Sequence, residues 1–170
     1  MSETATKPVY LIDACSDPVL VRIEGRACFQ NSACLRDFVA DMLKQGKTRF
    51  AIDFLHCTSM DSTFLGVLAG VALDLRRHGG GTSLVLARVG PRNLELVRNM
   101  GLHRLMTVDL GPVPAGFEHC DEGLDCPERS EMENARLALE AHENLVTADE
   151  GNRSKFQDVL VFLRNRVGQR

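Results

Sequence analysis

The chain has 170 residues, of which 44% are hydrophobic and 25% are charged, and its formal net charge is −3. This composition is typical of a globular protein with a substantial core, and the lack of a basic surplus argues against a nucleic-acid-binding protein. No stretch approaches the roughly 18 apolar residues that a membrane-spanning helix needs, and residues 1–15 lack the basic start and long apolar core of a signal peptide. We therefore expect a cytoplasmic protein with neither a membrane nor a nucleic-acid partner.

Strand and helix patterns alternate through the first two thirds of the chain. Short β-prone runs occur at residues 9–12, 19–25, 48–55, 82–87 and 105–108. Apolar residues at helical spacing follow the second, third and fourth of these runs, at about 31–45, 62–77 and 91–100. Alternating strands and helices favour right-handed crossovers between parallel strands. We predict an α/β sandwich with a four- to five-stranded, mostly parallel mixed sheet.

The composition changes after the last predicted strand. Residues 110–129 are rich in proline, glycine and acidic side chains, which is typical of a linker or an irregular excursion. Two amphipathic helical patterns follow, separated by a turn near residues 148–152. We predict an α/β domain over 1–112, a linker over 113–129 and a C-terminal helical hairpin within 130–170.

Common catalytic and cofactor motifs are absent from the sequence, including GxSxG, HExxH, the Walker loop and GxGxxG. The glycine-rich segment 78–83 runs from a helix into a strand, whereas phosphate- and oxyanion-binding loops run from a strand into a helix. His119, Cys120 and Cys126 fit no standard zinc spacing, and the six cysteines contain no CxxC pair. We therefore predict free, mostly buried cysteines, no metal, no cofactor and no enzymatic activity.

The hydroxyl-rich segment 56–63, HCTSMDST, is the best candidate for a functional site. It follows a central strand, and open α/β sheets place functional groups at the carboxyl ends of their strands. Ser62 stands at the predicted start of a helix, where its side chain can cap unpaired backbone N–H groups. The partial positive charge at the same position also suits a phosphate. From the residues alone, capping and phosphorylation both stay open.

The order and spacing of residues 50–108 resemble the STAS domain, in particular the bacterial anti-sigma factor antagonists. Four features carry the resemblance: Asp53 at a strand end, the pair Asp61-Ser62, the pair Leu65-Gly66 in the next helix, and Gly101-Leu102 closing the last one. The resemblance covers about residues 9–110 and implies a STAS-like sandwich.

The resemblance also implies a regulatory binding module that works by partner switching. Ser62 would be the phosphoacceptor, with Thr63 as a second candidate. An anti-sigma factor with serine kinase activity would phosphorylate it, and a PP2C-type phosphatase would reverse this. The unmodified module would bind the kinase and thereby free a sigma factor. The expected partner-binding surface comprises His56, Thr58, Ser59, Met60, Asp61, Phe64 and Leu65.

Two features depart from the family pattern. Phe64 stands where a small residue is common, and its ring could either influence partner choice or pack inward. The hairpin from about residue 130 to residue 167 is absent from minimal antagonists, and it could cover an exposed sheet face, form a homodimer contact or bind a regulator. Two alternative functions also stay open, an unphosphorylated STAS scaffold in a signalling or stress complex and a small-ligand-binding domain.

Overall fold

The computed structural model describes residues 7–109, 111 and 116–168, and its elements follow the predicted alternation. The strands are β1 (Tyr10–Asp13), β2 (Val19–Ala27), β3 (Arg49–Met60), β4 (Ser83–Ala87), β5 (Thr107–Asp109) and β6 (Glu122–Gly123). The helices are α1 (Phe29–Lys44), α2 (Ser62–Arg77), α3 (Pro91–Asn99), α4 (Glu131–Ala148) and α5 (Asn152–Gly168).

The six strands form one mixed sheet in the order β5-β4-β3-β2-β1-β6. The strands β2, β3, β4 and β5 run parallel to one another, whereas β1 runs antiparallel to both β2 and β6. The prediction of a mostly parallel mixed sheet is therefore confirmed. The short edge strand β6 was not predicted, because it lies in the segment whose composition indicated a linker. The division into three segments stays a prediction.

Both faces of the central strand β3 are covered. Helices α1, α2 and α3 pack on one face and enclose the main core with side chains such as Phe50 and Ile52. On the other face Phe117 and Cys120 pack against Ala51 and its neighbours on β2 and β4. The apolar pattern of residues 48–55 predicted a strand that is buried on both faces. Part of the segment expected to be a linker supplies the second cover.

Strand β3 is longer than the sequence indicated. We expected it to end at Leu55 and a loop to follow, but it continues to Met60. Its second half still pairs with β2, including at Cys57 and Met60. The register shifts between Arg22 and Glu24 and again between Gly25 and Arg26, and at each shift β3 carries one extra residue. Backbone hydrogen bonds between strands do not depend on apolar side chains. The polar residues of this half are therefore exposed although their backbone is still paired with β2.

The C-terminal helices form the predicted hairpin and lie on top of the helical layer. Helix α4 packs against α2 and also touches α1, and α5 packs against α4. Leu137 and Leu145 of α4 are buried. The Asn152 side chain, fully buried at the turn, donates hydrogen bonds to the carbonyls of Leu145 (2.7 Å) and Met100 (3.0 Å). Of the placements considered from the sequence, cover of an exposed sheet face is not the one observed.

A disulfide joins Cys34 on α1 to Cys126, which corrects the prediction that all cysteines are free. The two residues are 92 positions apart, so the sequence pattern held no sign of their proximity. The prediction of buried free thiols is confirmed for Cys28, Cys57 and Cys120. Burial raises the pKa of the Cys57 and Cys120 thiols to about 11, which keeps both protonated at neutral pH.

Candidate functional site

The N-termini of two helices converge on the carboxylate of Asp61. One carboxylate oxygen accepts a hydrogen bond from the backbone N–H of Phe64 on α2 (2.9 Å). The other accepts from the N–H of Phe29, the first residue of α1 (2.8 Å). A negative side chain is stabilised at these two positive helix ends. Asp61 is thus the N-cap of α2, and of the two roles left open for Ser62 from the residues alone, capping is not the one observed.

Ser62 is the first residue of α2, and its half-buried hydroxyl contacts a histidine of the hairpin. Its Oγ lies 2.9 Å from Nε2 of His142, a residue only 4% exposed. The other ring nitrogen, Nδ1, lies 2.6 Å from the carbonyl oxygen of Ala138. A carbonyl can only accept, so Nδ1 of the neutral ring carries the proton and Nε2 accepts from the serine. The Ser62 hydroxyl is therefore the donor to His142.

The start of α1 is fixed by a second set of hydrogen bonds beside Asp61. The Asn31 side-chain oxygen accepts from the Cys28 N–H (2.9 Å) and from the Tyr10 hydroxyl (3.0 Å). Its amide group donates to the carbonyl of Arg26 (2.8 Å). Burial is the main cause that raises the pKa of the Tyr10 hydroxyl, and nearby acidic groups that include Asp61 raise it further. The hydroxyl therefore stays protonated and remains a donor. The α1 end of the site is held by bonds that do not involve the hairpin.

Two glycines allow α4 to approach α2 closely next to Ser62. A Cβ atom at Gly66 would lie 2.6 Å from the Cβ of Ala141 and closer still to its carbonyl oxygen. A Cβ atom at Gly70 would lie 2.5 Å from the side-chain nitrogen of Asn144. Ser62, Gly66 and Gly70 are spaced by four residues, so they share one face of α2. The hairpin packs against this face of α2 through α4.

The structure sorts the predicted site residues, including the two candidate phosphoacceptors, into exposed, half-buried and buried positions. His56, Thr58 and Ser59 are exposed on β3, and Asp61 and Ser62 are half-buried. The buried members are Met60, Thr63, Phe64 and Leu65. Their burial takes these four side chains off the surface that a partner or kinase could contact in this conformation.

Phe64, the unusual residue beside the candidate acceptor, packs inward. Its side chain is fully buried, and its ring meets that of Phe54 edge to face with 6.4 Å between centroids. It therefore fills the core between α2 and β3. Of the two roles considered for this ring from the sequence, the structure shows inward packing.

His142 is the site residue that sequence reasoning missed. It lies 80 positions from Ser62, and it stands next to the apolar stripe of α4 rather than in any catalytic or metal-binding motif. Ala141, the residue before it, is buried where α4 packs on α2. Because α4 packs on α2, His142 also points into the contact. No sequence signal, however, identifies α2 as the helix against which α4 packs.

Asp53, one of the residues that carried the family resemblance, lies in the middle of β3 and forms a buried ion pair. It is 1% exposed, and one of its oxygens lies 2.9 Å from Nε of Arg88. The hydrogen bond to Asp53 raises the pKa of Arg88. Arg88 adopts a positive φ of 54°, a conformation that is uncommon outside glycine. Asp53 therefore fixes the turn after β4 and shares no hydrogen bond with Ser62.

Residues 7–109, 111 and 116–168 contain no group of three or more His, Cys, Asp or Glu side chains arranged to hold a metal ion. Cys126, one of the three residues considered for a metal site, is engaged in the disulfide. Across the same described ranges, no helix combines the length and apolar character required to cross a bilayer.

The family model described as "Mlab, STAS domain" matches residues 11–109, more than half of the chain. The chain belongs to the STAS domain family. The matched region contains β1–β5, the helices α1–α3 and the Asp61-Ser62 pair. It ends before α4 and α5, so His142 and the hairpin lie outside it.

Several solved structures are similar to this chain. A candidate anti-sigma factor antagonist of Thermotoga maritima is 16% identical, with a TM-score of 0.53, covering 65% of this chain and 93% of that one. The unphosphorylated anti-sigma factor antagonist SpoIIAA is 18% identical (TM-score 0.49; 65% and 92% covered). The phosphorylated Bacillus cell fate determinant SpoIIAA is 19% identical (TM-score 0.49; 59% and 90% covered). The Thermotoga structure supports the fold alone, and no curated protein sequence matches the chain.

Proposed function

We propose that the chain is a regulatory protein-binding module of the anti-sigma factor antagonist type, switched by reversible phosphorylation of Ser62. Membership of the STAS family and the fold shared with the Thermotoga protein support this proposal. The observation that carries it is the division of roles at the start of α2. Asp61 caps the helix, so the Ser62 hydroxyl is not needed to bind the backbone N–H groups at the helix start.

A phosphate at Ser62 suits the local electrostatics of its own domain. The N-terminus of α2 favours negative charge, and phosphoserine adds about −1.5 to −2 charges at neutral pH. The exposed side chains of His56, Thr58 and Ser59 lie just before it on β3. A partner docked over this end of the sheet would meet the added charge, so phosphorylation would change its affinity without unfolding the module.

The proposed partners act on Ser62 in opposite directions. An anti-sigma factor with serine kinase activity binds the unmodified module and phosphorylates it, and a PP2C-type phosphatase removes the phosphate. In this scheme the module is a substrate and a binding partner in the cytoplasm, and it catalyses no reaction itself. Release of a sigma factor from the occupied kinase is the proposed output in transcription.

The first test is phosphorylation. The purified chain is incubated with a candidate serine kinase and Mg-ATP, and the product is examined by intact mass and by phosphopeptide mapping. We expect one added phosphate, located at Ser62, and none in the Ser62→Ala variant. Thr107→Ala removes an exposed hydroxyl on the edge strand β5, outside the expected partner-binding surface, and should leave the phosphorylation unchanged. A phosphate that maps to another residue would overturn the assignment.

The second test is binding to the same kinase. Ser62→Asp should bind at least about tenfold more weakly than Ser62→Ala, because only the former adds charge at the start of α2. Both variants lose the hydroxyl that contacts His142, so the comparison isolates charge. Ser59→Asp, measured beside them, separates a specific effect at Ser62 from general repulsion. Equal affinities for the two Ser62 variants would remove the mechanism of the switch.

A further inference from the structure

The hairpin outside the family match makes direct contact with the proposed phosphoacceptor. We infer that α4 and α5 are closed over Ser62 in the unmodified protein and are released when Ser62 carries a phosphate. This inference rests on the proposed function only in naming phosphorylation as the modification. The coupling itself follows from the contacts between α2 and the hairpin.

In the closed state both helices of the hairpin are linked to the serine. Nε2 of His142 on α4 accepts a hydrogen bond from the Ser62 hydroxyl, with 2.9 Å between Oγ and Nε2. Its ring packs edge to face against Phe156 of α5, with 5.0 Å between the ring centroids. The ring is almost completely buried, so the serine hydroxyl is the donor that satisfies a nitrogen with little access to water.

A phosphate ester removes that donor. Phosphoserine has no hydroxyl proton at Oγ, so Oγ and the neutral Nε2 of His142 would face each other as two acceptors. A phosphorus atom bonded along the direction of the lost proton would also occupy the space of the imidazole ring. Rotation of the Ser62 side chain toward solvent avoids the collision but leaves the buried Nε2 without a partner. Either arrangement disfavours the closed state.

The charges around the contact act in the same direction. Asp61 directly precedes Ser62, and Asp158 of α5 lines the apolar groove beside His142. A phosphate at Ser62 would lie beside the Asp61 carboxylate, which repels it, and would be partly desolvated under the closed hairpin. The N-terminus of α2 instead stabilises the phosphate on its own helix. Release of the hairpin lets the phosphate stay at the helix end while it gains water.

Release also changes the surface that a partner meets. The contact between α2 and α4 hides Val67 of α2 together with Leu137 and Ala141 of α4. Separation of the two helices uncovers these apolar side chains. The disulfide between Cys34 and Cys126 lies just before α4 begins, so the hairpin stays tethered to α1 at that end. The phosphorylated form is thus a tethered, opened form with a new apolar surface.

The test uses the full chain with phosphoserine incorporated during translation at position 62. Hydrogen–deuterium exchange is compared with that of the unmodified protein and of a control carrying phosphoserine at position 59. Ser59 is exposed on β3, so the control adds the same charge near the start of α2 without touching the hairpin. We expect amides 137–146 to exchange about tenfold faster or more with phosphate at position 62, and to be unchanged in the control. Amides of β2 and β3 report that the sheet stays folded.

Several results would overturn the inference. Unchanged exchange in 137–146 would show that the phosphate is accommodated in the closed state. Slower exchange would show that a protonated His142 clamps the phosphate and tightens the hairpin. Equal acceleration by the phosphate at position 59 would show a general charge effect. If phosphate at position 62 also loosens the sheet, Ser62→Asp replaces it, and the same comparison with Ser59→Asp decides.

The exchange experiment can fail independently of the kinase assay that tests the proposed function, because the phosphate is introduced during translation without any kinase. Hairpin release without a kinase that accepts Ser62 would support this inference and leave the proposed function refuted. Phosphorylation by a kinase with no hairpin release would do the reverse. Ser62→Ala, which removes the hydroxyl but adds no charge, should accelerate exchange less than phosphoserine does.

Discussion

The close approach of α4 to α2 at Gly66 gives a sharp test of the structure. Replacing Gly66 by alanine adds a Cβ atom that would lie 2.6 Å from the Ala141 Cβ, 2.5 Å from its carbonyl carbon and nearer still to its carbonyl oxygen. Ordinary Cβ contacts begin at about 3.4 Å. Because two of these obstacles are backbone atoms of a helix, no side-chain rotation can relieve them. The hairpin has to move away from α2.

The expected magnitude follows from two opposing effects. Overpacking a tight contact costs about 1–3 kcal/mol, and this contact lies at the severe end because backbone blocks the new atom. In the opposite direction, the higher helix propensity of alanine than of glycine stabilises the helix by up to about 1 kcal/mol. We therefore expect Gly66→Ala to lower the free energy of unfolding by about 1–2 kcal/mol. Urea denaturation followed by far-ultraviolet circular dichroism measures this change.

Gly70→Ala is the matched control on the same face of α2. Its Cβ would meet the side-chain nitrogen of Asn144, which can rotate away and gives up only a 3.4 Å hydrogen bond to the carbonyl of Gly66. We expect a change within about 0.5 kcal/mol of zero, since the helical gain offsets the lost bond. If Gly66→Ala proved as stable as Gly70→Ala, the close packing of α4 on α2 would be refuted.

Three further predictions concern the cysteines. The folded chain should react rapidly with DTNB at one thiol, the exposed Cys15, and the unfolded chain at four; six without reductant would exclude the disulfide. Replacing Cys34 and Cys126 by serine should lower the free energy of unfolding in urea by about 2–4 kcal/mol, because the bond closes a long loop, and a loss under about 1 kcal/mol would contradict this. Burial raises the pKa of the Cys57 thiol from 9.0 to about 11. The protonated thiol therefore adds about 2 kcal/mol to the free energy of unfolding below pH 9, and this stabilisation should be lost as the pH rises to 11. In the Cys57→Val variant the free energy of unfolding should decline less steeply over the same pH range.

The sequence predicted well those elements whose signals are local. Helix α2 has its predicted bounds, Ser62 and Arg77, because a run of helix-forming apolar residues is closed by basic residues and glycines. Helix α1 begins at Phe29 instead of near Ser32, because Asn31 bonds back to the Cys28 N–H from inside the first turn. A polar residue near a helix start can cap from either side of the boundary, and sequence alone does not distinguish the two.

Features that depend on distant pairing were not predictable. Composition indicated that Phe117 lies in a linker, yet it covers the second face of the sheet, because apolar residues on β2, β3 and β4 face it. The disulfide between Cys34 and Cys126 likewise forms only because the chain after β6 lies against α1 in the folded protein. Each contact joins residues far apart in sequence, and each is set by the assembled fold rather than by a local pattern.

The start of α2 shows how two chemical roles can be assigned to neighbouring residues. A serine that caps its own helix must keep its oxygen on the backbone N–H groups, and phosphorylation would then alter the cap. Here Asp61 bonds the N–H groups of both Phe64 and Phe29, so α1 and α2 keep their shared cap whatever happens to Ser62. The Ser62 hydroxyl is engaged instead by His142 of the hairpin. A modification at Ser62 would therefore act first on the contact between α2 and the hairpin, because the shared helix cap does not use the Ser62 hydroxyl.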